Sequence, residues 1–230
     1  MNLNDMVSLI QTRLGFRTDL DAEIIREIQL AQYELERDPT FNPHFLWRAK
    51  DICICPECLD YVLPAGFIRL DEMNNPLYQD NGSYVAFELD KGIAVNTFEP
   101  NKVSGCPQYF SIYSNNLRLD KRACGILRLF YITATTQLTD VIVENLWTQH
   151  AFHLLMNKAG IAMATNIQES MAVDRFTTDY LVAYSAFKKA CVAYEDQGMN
   201  ISRAGTLYSS PVKQIGGWYE AGSIPCEECA

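Results

Sequence analysis

The apolar positions of this chain change their spacing twice, from a helical period to a strand period and back. Between residues 3 and 37 they recur every three or four positions, which predicts helices at residues 3 to 14 and 20 to 37. The second helix carries one apolar stripe, formed by Ile24, Ile28, Ala31 and Leu35. Asp38-Pro39 predicts its end, because proline disfavours helical geometry in the residue before it.

From residue 48 the spacing becomes that of β-strands. The segment AKDICICPECLDYVLP predicts a hairpin that turns at Pro56-Glu57, and GILRLFYIT alternates its side chains between two faces. Clusters of Asn, Asp, Gly and Pro separate such runs as turns. About six or seven short strands at this spacing predict a small antiparallel sandwich or barrel-like sheet.

Helical spacing returns near residue 140. One face is predicted to hold Val143, Trp147, Ala151, Leu154 and Leu155. A final helix is predicted from residue 167 to 197, with Thr165 and Gln168 as its capping box and Gly198 at its end. Its aromatic stripe is predicted to be core: Phe176, Tyr180, Tyr184, Phe187, Cys191 and Tyr194.

The tail after residue 198 loses this periodicity, because glycine and proline interrupt every short run. It still carries aromatic anchors, which is typical of an arm that orders on a partner. A tail that folds back on its own bundle is the alternative. The residues predicted to dock the arm are Tyr208, Ile215, Trp218 and Tyr219.

These patterns together predict an α+β protein. Residues 1–47 and 136–198 are expected to form a helical bundle, closed by segments that are distant in sequence. Residues 48–135 are expected to form an inserted antiparallel β domain. Residues 199–230 are expected to form an extended C-terminal arm.

The charge of the chain narrows the classes of partner. A net charge of -9 over 230 residues repels phosphate backbones, so sequence-specific nucleic-acid binding is not expected. No apolar run reaches about 18 residues, so no membrane span is expected. The first residues lack the layout of a signal peptide. The eight cysteines are therefore expected to be free thiols, made in a reducing cytoplasm.

Three segments follow one another along the chain: LIQTRLGFRTDLDAEIIREIQLAQYELERD, then YVLPAGFIRLDEM, then LRLFYITATTQLTD with a Trp-containing helix and a long helix after it. Together they resemble the head–tail adaptor (connector) proteins of short-tailed phages. Each is weak alone, but their order and spacing over residues 3 to 197 are more specific. The chain departs from the common pattern of the family in its cysteine pairs.

The resemblance implies a structural virion protein at the head–tail junction, made in the host cytoplasm and without enzymatic activity. It implies a homo-oligomeric ring of about twelve subunits that docks under the portal protein and carries a tail or nozzle protein below. The helical bundle would touch the portal, with the β insert at the periphery and the arm gripping portal or neighbour. DNA would pass through the channel without specific binding, which suits an acidic surface.

Two Cys-x-x-Cys pairs are candidate metal ligands. Cys55 with Cys58, and Cys226 with Cys229, would supply four thiolates for a tetrahedral zinc site. Their separation in sequence is not that of a zinc ribbon, so no cofactor is the first expectation and zinc the second. A redox role is disfavoured, because the first pair is predicted in a hairpin rather than at a helix N-terminus.

Other candidate chemistry is sparse. His150-x-x-His153 would place two imidazoles on one side of a helix, where packing at the bundle edge explains them as well as a metal does. No nucleophile elbow, phosphate-binding glycine loop or dinucleotide fingerprint occurs. Two alternatives to the adaptor remain: an intracellular zinc-stabilised protein-binding module, and a virion-associated hydrolase.

Overall fold

The chain folds as an α+β protein, as the changes of apolar spacing predict. The computed structural model describes residues 1–71, 74–80, 86–92, 104–139 and 141–205. For residues 193–205 it describes the backbone only. It divides into two compact units. The helical unit contains Met1–Leu46 and Ala134–Asp196, and the β unit is built on Trp47–Thr133.

The helices of the described residues are α1 (Leu3–Arg13), α2 (Asp21–Arg37), α3 (Leu146–His150), α4 (Phe152–Asn166) and α5 (Ser170–Gly205). The strands are β1 (Trp47–Ile54), β2 (Asp60–Val62), β3 (Phe67–Leu70), β4 (Leu77–Asp80), β5 (Ala86–Glu88), β6 (Asp90–Lys91), β7 (Tyr109–Tyr113), β8 (Asn116–Leu119) and β9 (Gly125–Thr133). The two predicted N-terminal helices are confirmed within one residue.

The core of the helical unit forms along the stripe of α2. All four predicted stripe residues are buried: Ile24, Ile28, Ala31 and Leu35. The side chains that follow α2 close one end of the unit, because Phe41 stacks on Trp147 and also packs on Phe187, with ring centroids 6.2 and 5.4 Å away. Trp147 itself is fully buried.

Two details of the C-terminal helices differ from the prediction. The helix after the β unit is broken at Ala151, whose φ of -140° and ψ of 33° leave the helical region between α3 and α4. The capping box is also wrong. Thr165 lies inside α4, where its hydroxyl donates to the Ile161 carbonyl, and Gln168 turns the chain with a φ of 60°.

Helices α4 and α5 approach closely at Gly160. A Cβ on this residue would overlap the ring of Phe176, which is fully buried. Glycine is therefore required here by the approach of a large aromatic side chain, because a well-packed interior has no room for an added methyl group.

One buried carboxylate joins the segments that close the helical unit. Oε1 of Glu36, on α2, accepts hydrogen bonds from the Trp147 indole at 2.9 Å and from the Thr135 hydroxyl and amide at 2.6 and 3.1 Å. The amide of Gln32 donates to the same oxygen at 3.1 Å. Glu36 is only 3% exposed. Charged acceptors make strong hydrogen bonds, so this oxygen fixes α2 against α3 and the chain returning from the β unit.

The larger sheet of the β unit is organised around β9, its central strand. On one side β9 pairs with β1 along its whole length, from Gly125 opposite Ile54 to Ile132 opposite Trp47. On the other side its first half pairs with β4 and its second half with β3. Beyond β4 the sheet ends at β5. All these pairs are antiparallel.

The second sheet has the order β2-β8-β7-β6. Strands β7 and β8 form an antiparallel hairpin, whereas β6 pairs with β7 in parallel. The hairpin predicted around Pro56-Glu57 is wrong, because β1 and β2 belong to different sheets. The turn exists, but it carries the chain from one sheet to the other.

Bidentate Arg–Asp pairs fix the register of both sheets. Arg128 on β9 lies directly opposite Asp51 on β1, and both of its nitrogen–oxygen distances are 2.7 Å. Arg118 on β8 binds Asp60 on β2 in the same way. The hydrogen bonds from Arg118 hold the pKa of Asp60 below its usual value. Cross-strand pairs of opposite charge favour one register over its neighbours.

Replacing Glu36 should destabilise the helical unit strongly. Glu36→Ala leaves the Trp147 indole and the Thr135 hydroxyl without their shared acceptor, so the free energy of unfolding should fall by about 2–3 kcal/mol. Glu34→Ala is the matched control on the same helix. Its exposed ion pair with Lys158, at 3.0 Å, is worth less than about 1 kcal/mol. Denaturant titration of both variants measures their free energies of unfolding. Equal losses in the two variants would contradict the role given to the hydrogen bonds of Glu36.

Candidate functional site

The exposed apolar side chains lie mainly in the helical unit. Of the twelve large exposed hydrophobic residues in the described part of the chain, ten belong to that unit, so it is the better candidate for binding a macromolecular partner. The β unit contributes Val62 and Tyr109. The set in the helical unit is Met1, Phe16, Leu30, Tyr33, Val141, Ile142, Met171, Leu181, Val182 and Val192.

The densest group is on α5, on the face that points away from the core. Met171, Leu181, Val182 and Val192 are 74%, 60%, 66% and 48% exposed. We call this side of α5, from residue 171 to residue 192, the outer face. Two exposed hydroxyl residues, Thr178 and Ser185, lie along its middle. The centre line of the face is therefore uncharged, with apolar residues at its ends and hydroxyl residues between them.

Charged residues stand near the two ends of the outer face. Asp174 and Arg175 lie towards its N-terminal end, and Lys188 and Lys189 towards its C-terminal end. All four are exposed, and no ion pair joins them to another side chain within the described residues. Charges of both signs are thus available to a partner.

Arg13 contacts the side of α5 that borders the outer face near Thr178. Its guanidinium donates to Asp179 of α5 at 2.8 Å and to Asn157 of α4 at 3.1 Å. It also lies over the ring of Phe176, 5.2 Å from the centroid. One side chain of α1 therefore holds both C-terminal helices, and the outer face is presented on a fixed helix.

Sequence reasoning identified the inner side of α5 and missed the outer one. The aromatic stripe is core at Phe176 and Cys191, and Tyr180, Tyr184 and Phe187 are half-buried. The missed signal was a second series of uncharged residues seven apart, which begins at Met171, ends at Val192 and has hydroxyl residues between them.

A smaller exposed patch lies on α2. Leu30 and Tyr33 are 45% and 54% exposed, on the side opposite the buried stripe. The Arg37 guanidinium covers the Tyr33 ring at 3.7 Å from its centroid. Because a cation already occupies this ring, the patch offers a partner less free apolar surface than the outer face does.

The predicted docking residues of the arm lie outside the described residues: Tyr208, Ile215, Trp218 and Tyr219. The predicted end of the last helix at Gly198 is wrong. Helix α5 passes Gly198 and continues to Gly205, so residues 199–205 are helical. A glycine can end a helix, but it also occurs inside one at a cost of about 1 kcal/mol relative to alanine.

The first Cys-x-x-Cys pair lies in the turn between the two sheets. The amide of Cys58 donates to the Cys55 carbonyl at 3.2 Å, which closes a four-residue turn. The Tyr61 hydroxyl lies 3.1 and 3.0 Å from the carbonyls of Cys55 and Cys58 and fastens the turn from inside. Burial raises the pKa of Tyr61, so its hydroxyl remains a donor.

The cysteines are not all free thiols. Cys53, Cys55, Cys58, Cys106 and Cys191 form no disulfide, whereas Cys124 is disulfide-bonded, which corrects the expectation at that position. Cys226 and Cys229 lie outside the described residues. Within the described part of the chain, no three His, Cys, Asp or Glu side chains are placed to hold a metal ion.

His44 and His150 lie close together, whereas His153 lies on another helix. His150 ends α3 and His153 belongs to α4, so the break at Ala151 removes the shared helix face on which a metal pair depended. His150 instead meets His44, with ring centroids 5.9 Å apart, and the Cys191 sulfur lies 3.8 Å from His44 Nδ1. Burial, and secondarily the charge of His150, lower the pKa of His44.

No protein-family model matches this chain, and no curated protein matches it. Among the residues that the structure describes, no helix combines the length and the apolar content that crossing a bilayer requires.

The lowered pKa of His44 predicts a pH dependence of stability. The folded chain resists protonation at His44, so stability should fall as the pH drops below the unfolded value of about 6.5. His44→Gln should reduce this fall between pH 6.5 and pH 5, measured by denaturant titration at each pH. His153→Gln, at an exposed histidine, is the control. If the free energy of unfolding of His44→Gln fell with pH as steeply as that of the unchanged protein, His44 would not be the source of the pH dependence.

Proposed function

We propose that this protein is a structural component of a virion: a head-to-tail adaptor whose copies form a ring under the portal. The ring would bridge the portal to a tail or nozzle protein and pass DNA through its channel. The mechanism is assembly rather than catalysis. The protein would be made in the host cytoplasm and would end at the head–tail junction.

The observation that carries this proposal is the concentration of exposed apolar surface on one unit. Helices that precede and follow the β unit in sequence are joined by Glu36 and Arg13, and none of the described residues covers the outer face of α5. A rigid helix that presents apolar and charged side chains is suited to docking on another rigid protein, since little conformational entropy is lost.

The charge of the protein agrees with a conduit for DNA. A net charge of -9 gives a surface that does not retain a polyanion, and retention would slow its passage. The resemblance of the three sequence segments to connector proteins supplies the identity of the partners, and the charge is consistent with it.

The arm should be required for docking on the portal. Deleting residues 206–230 keeps α5 whole, and a reducing buffer removes the disulfide of Cys124 from the comparison. In that buffer the truncated protein should show the same circular dichroism and unfolding as the intact protein. It should no longer form the large stoichiometric complex that light scattering detects when the intact protein meets the portal ring. Normal docking by the truncated protein would show that the arm is not required for binding the portal.

Point variants sharpen the same experiment. Trp218→Ala and Tyr219→Ala should each weaken portal binding by at least about tenfold, because buried aromatic anchors carry much of the energy of an interface. Tyr33→Ala is the matched control, since Tyr33 is an exposed aromatic residue on α2. An effect of Tyr33→Ala equal to that of Trp218→Ala would point to the bundle instead.

Metal analysis separates the zinc-stabilised module from the adaptor. A module held by zinc would retain about one equivalent and lose it in Cys55→Ser or Cys58→Ser, because both thiolates would be ligands. Cys53→Ser is the control, since Cys53 is an exposed free thiol nearby on β1. Less than about a tenth of an equivalent in the intact protein, with unchanged stability after chelation, would remove zinc from consideration.

A further inference from the structure

The residues on the outer face of α5 are arranged so that a second copy of the helix, running in the opposite direction, can pair with them. Its centre line repeats every seven residues: Met171, Thr178, Ser185 and Val192. A second line three residues further on repeats in the same way: Asp174, Leu181 and Lys188. Two lines with these offsets form the contact seam of paired helices that cross at a shallow angle. All seven residues are exposed.

An antiparallel copy of α5 would match every level of this seam. Rotation about a two-fold axis at Leu181 brings Leu181 against its own equivalent. It brings Met171 and Thr178 to within one residue, about 1.5 Å along the helix axis, of the levels of Val192 and Ser185. Apolar residues thus meet apolar residues, and hydroxyls meet hydroxyls. The register that aligns the first series of residues differs by only one residue from the register that aligns the second. A single antiparallel arrangement therefore serves both series.

The charges in the seam match under the same rotation. Asp174 faces Lys188 of the other copy, and the symmetry makes this pair twice. Neither side chain has an ion-pair partner within the described part of its own chain. Arg175 and Lys189 lie one residue outside the seam, at its edge, where long side chains can extend into water. A parallel copy would instead place each charge beside its own equivalent, which costs energy.

We propose that the free protein forms a two-fold dimer in which the outer faces of two α5 helices pair antiparallel. The seam spans about 32 Å, from residue 171 to residue 192 at about 1.5 Å a residue. One helix pair of that length buries less than the roughly 1,200 Å² of a stable standard interface. The dimer is therefore weak, with a dissociation constant on the order of micromolar.

This inference goes beyond the proposed adaptor role and does not depend on it. A two-fold contact uses the same surface on both copies and closes on itself, whereas a head-to-tail contact leaves an open end. Free subunits paired in this way cannot polymerise through α5. Their outer faces stay covered until a tighter partner replaces the second copy.

Sedimentation equilibrium of the full chain at rising concentration tests the proposal. The average mass should move from monomer to dimer over roughly 1 to 200 µM and should stop there. Leu181→Arg places two like charges on the axis and should weaken the dimer at least about tenfold. Leu30→Arg is the matched control, because Leu30 is an exposed leucine on α2 of the same unit.

A charge exchange identifies the antiparallel register. Asp174→Lys and Lys188→Asp should each weaken the dimer several-fold, and the double variant should recover most of the loss, because the two-fold pairs are restored with reversed sign. Unfolding curves confirm that each variant is folded. A wild-type protein that stays monomeric, an open polymer, equal loss in Leu30→Arg, or no recovery in the double variant would each overturn the proposal. Portal docking is assayed separately, so its outcome does not bear on the dimer.

Discussion

The helical unit depends on one buried carboxylate. Its two halves are about a hundred residues apart in sequence, and Oε1 of Glu36 is the buried acceptor at which Thr135 and Trp147 join them, in addition to the bonds from Arg13. Hydrophobic burial alone would bring α2 and α4 together, but it is not directional and would tolerate several rotations. The indole of Trp147 and the hydroxyl of Thr135 can both reach one oxygen only in one arrangement. Directional bonds in a dry interior therefore select the native packing.

This arrangement lets α5 have two different sides. Its inner side is fixed by Arg13 and by the ring of Phe176 against Gly160, so it cannot adapt to a partner. Its outer side carries apolar and charged groups that make no comparable contacts within the described residues. A helix that is rigid on one side and unsatisfied on the other loses little entropy on association, which makes it suitable for reversible binding.

The sequence predicted features that depend on local spacing and missed those that depend on distant partners. The stripe of α2 and the α+β class follow directly from periodicity, and both are confirmed. The hairpin at Pro56-Glu57 was wrong because the partner of β1 is β9, which begins at Gly125. A turn has the same composition whether its arms pair or separate into two sheets. The break at Ala151 had no signal, since alanine favours helix.

The position of β9 in the chain has a consequence for synthesis on the ribosome. Strands β1, β3 and β4 all emerge before β9, so the edges that pair with β9 remain open until Thr133 has been made. The apolar stripe of α2 stays exposed for longer still, until α4 has been made. Both units are thus completed late and by contacts that are remote in sequence, which slows folding and exposes the nascent chain to aggregation. Chaperone protection during translation is the expected cost of building the molecule in this order.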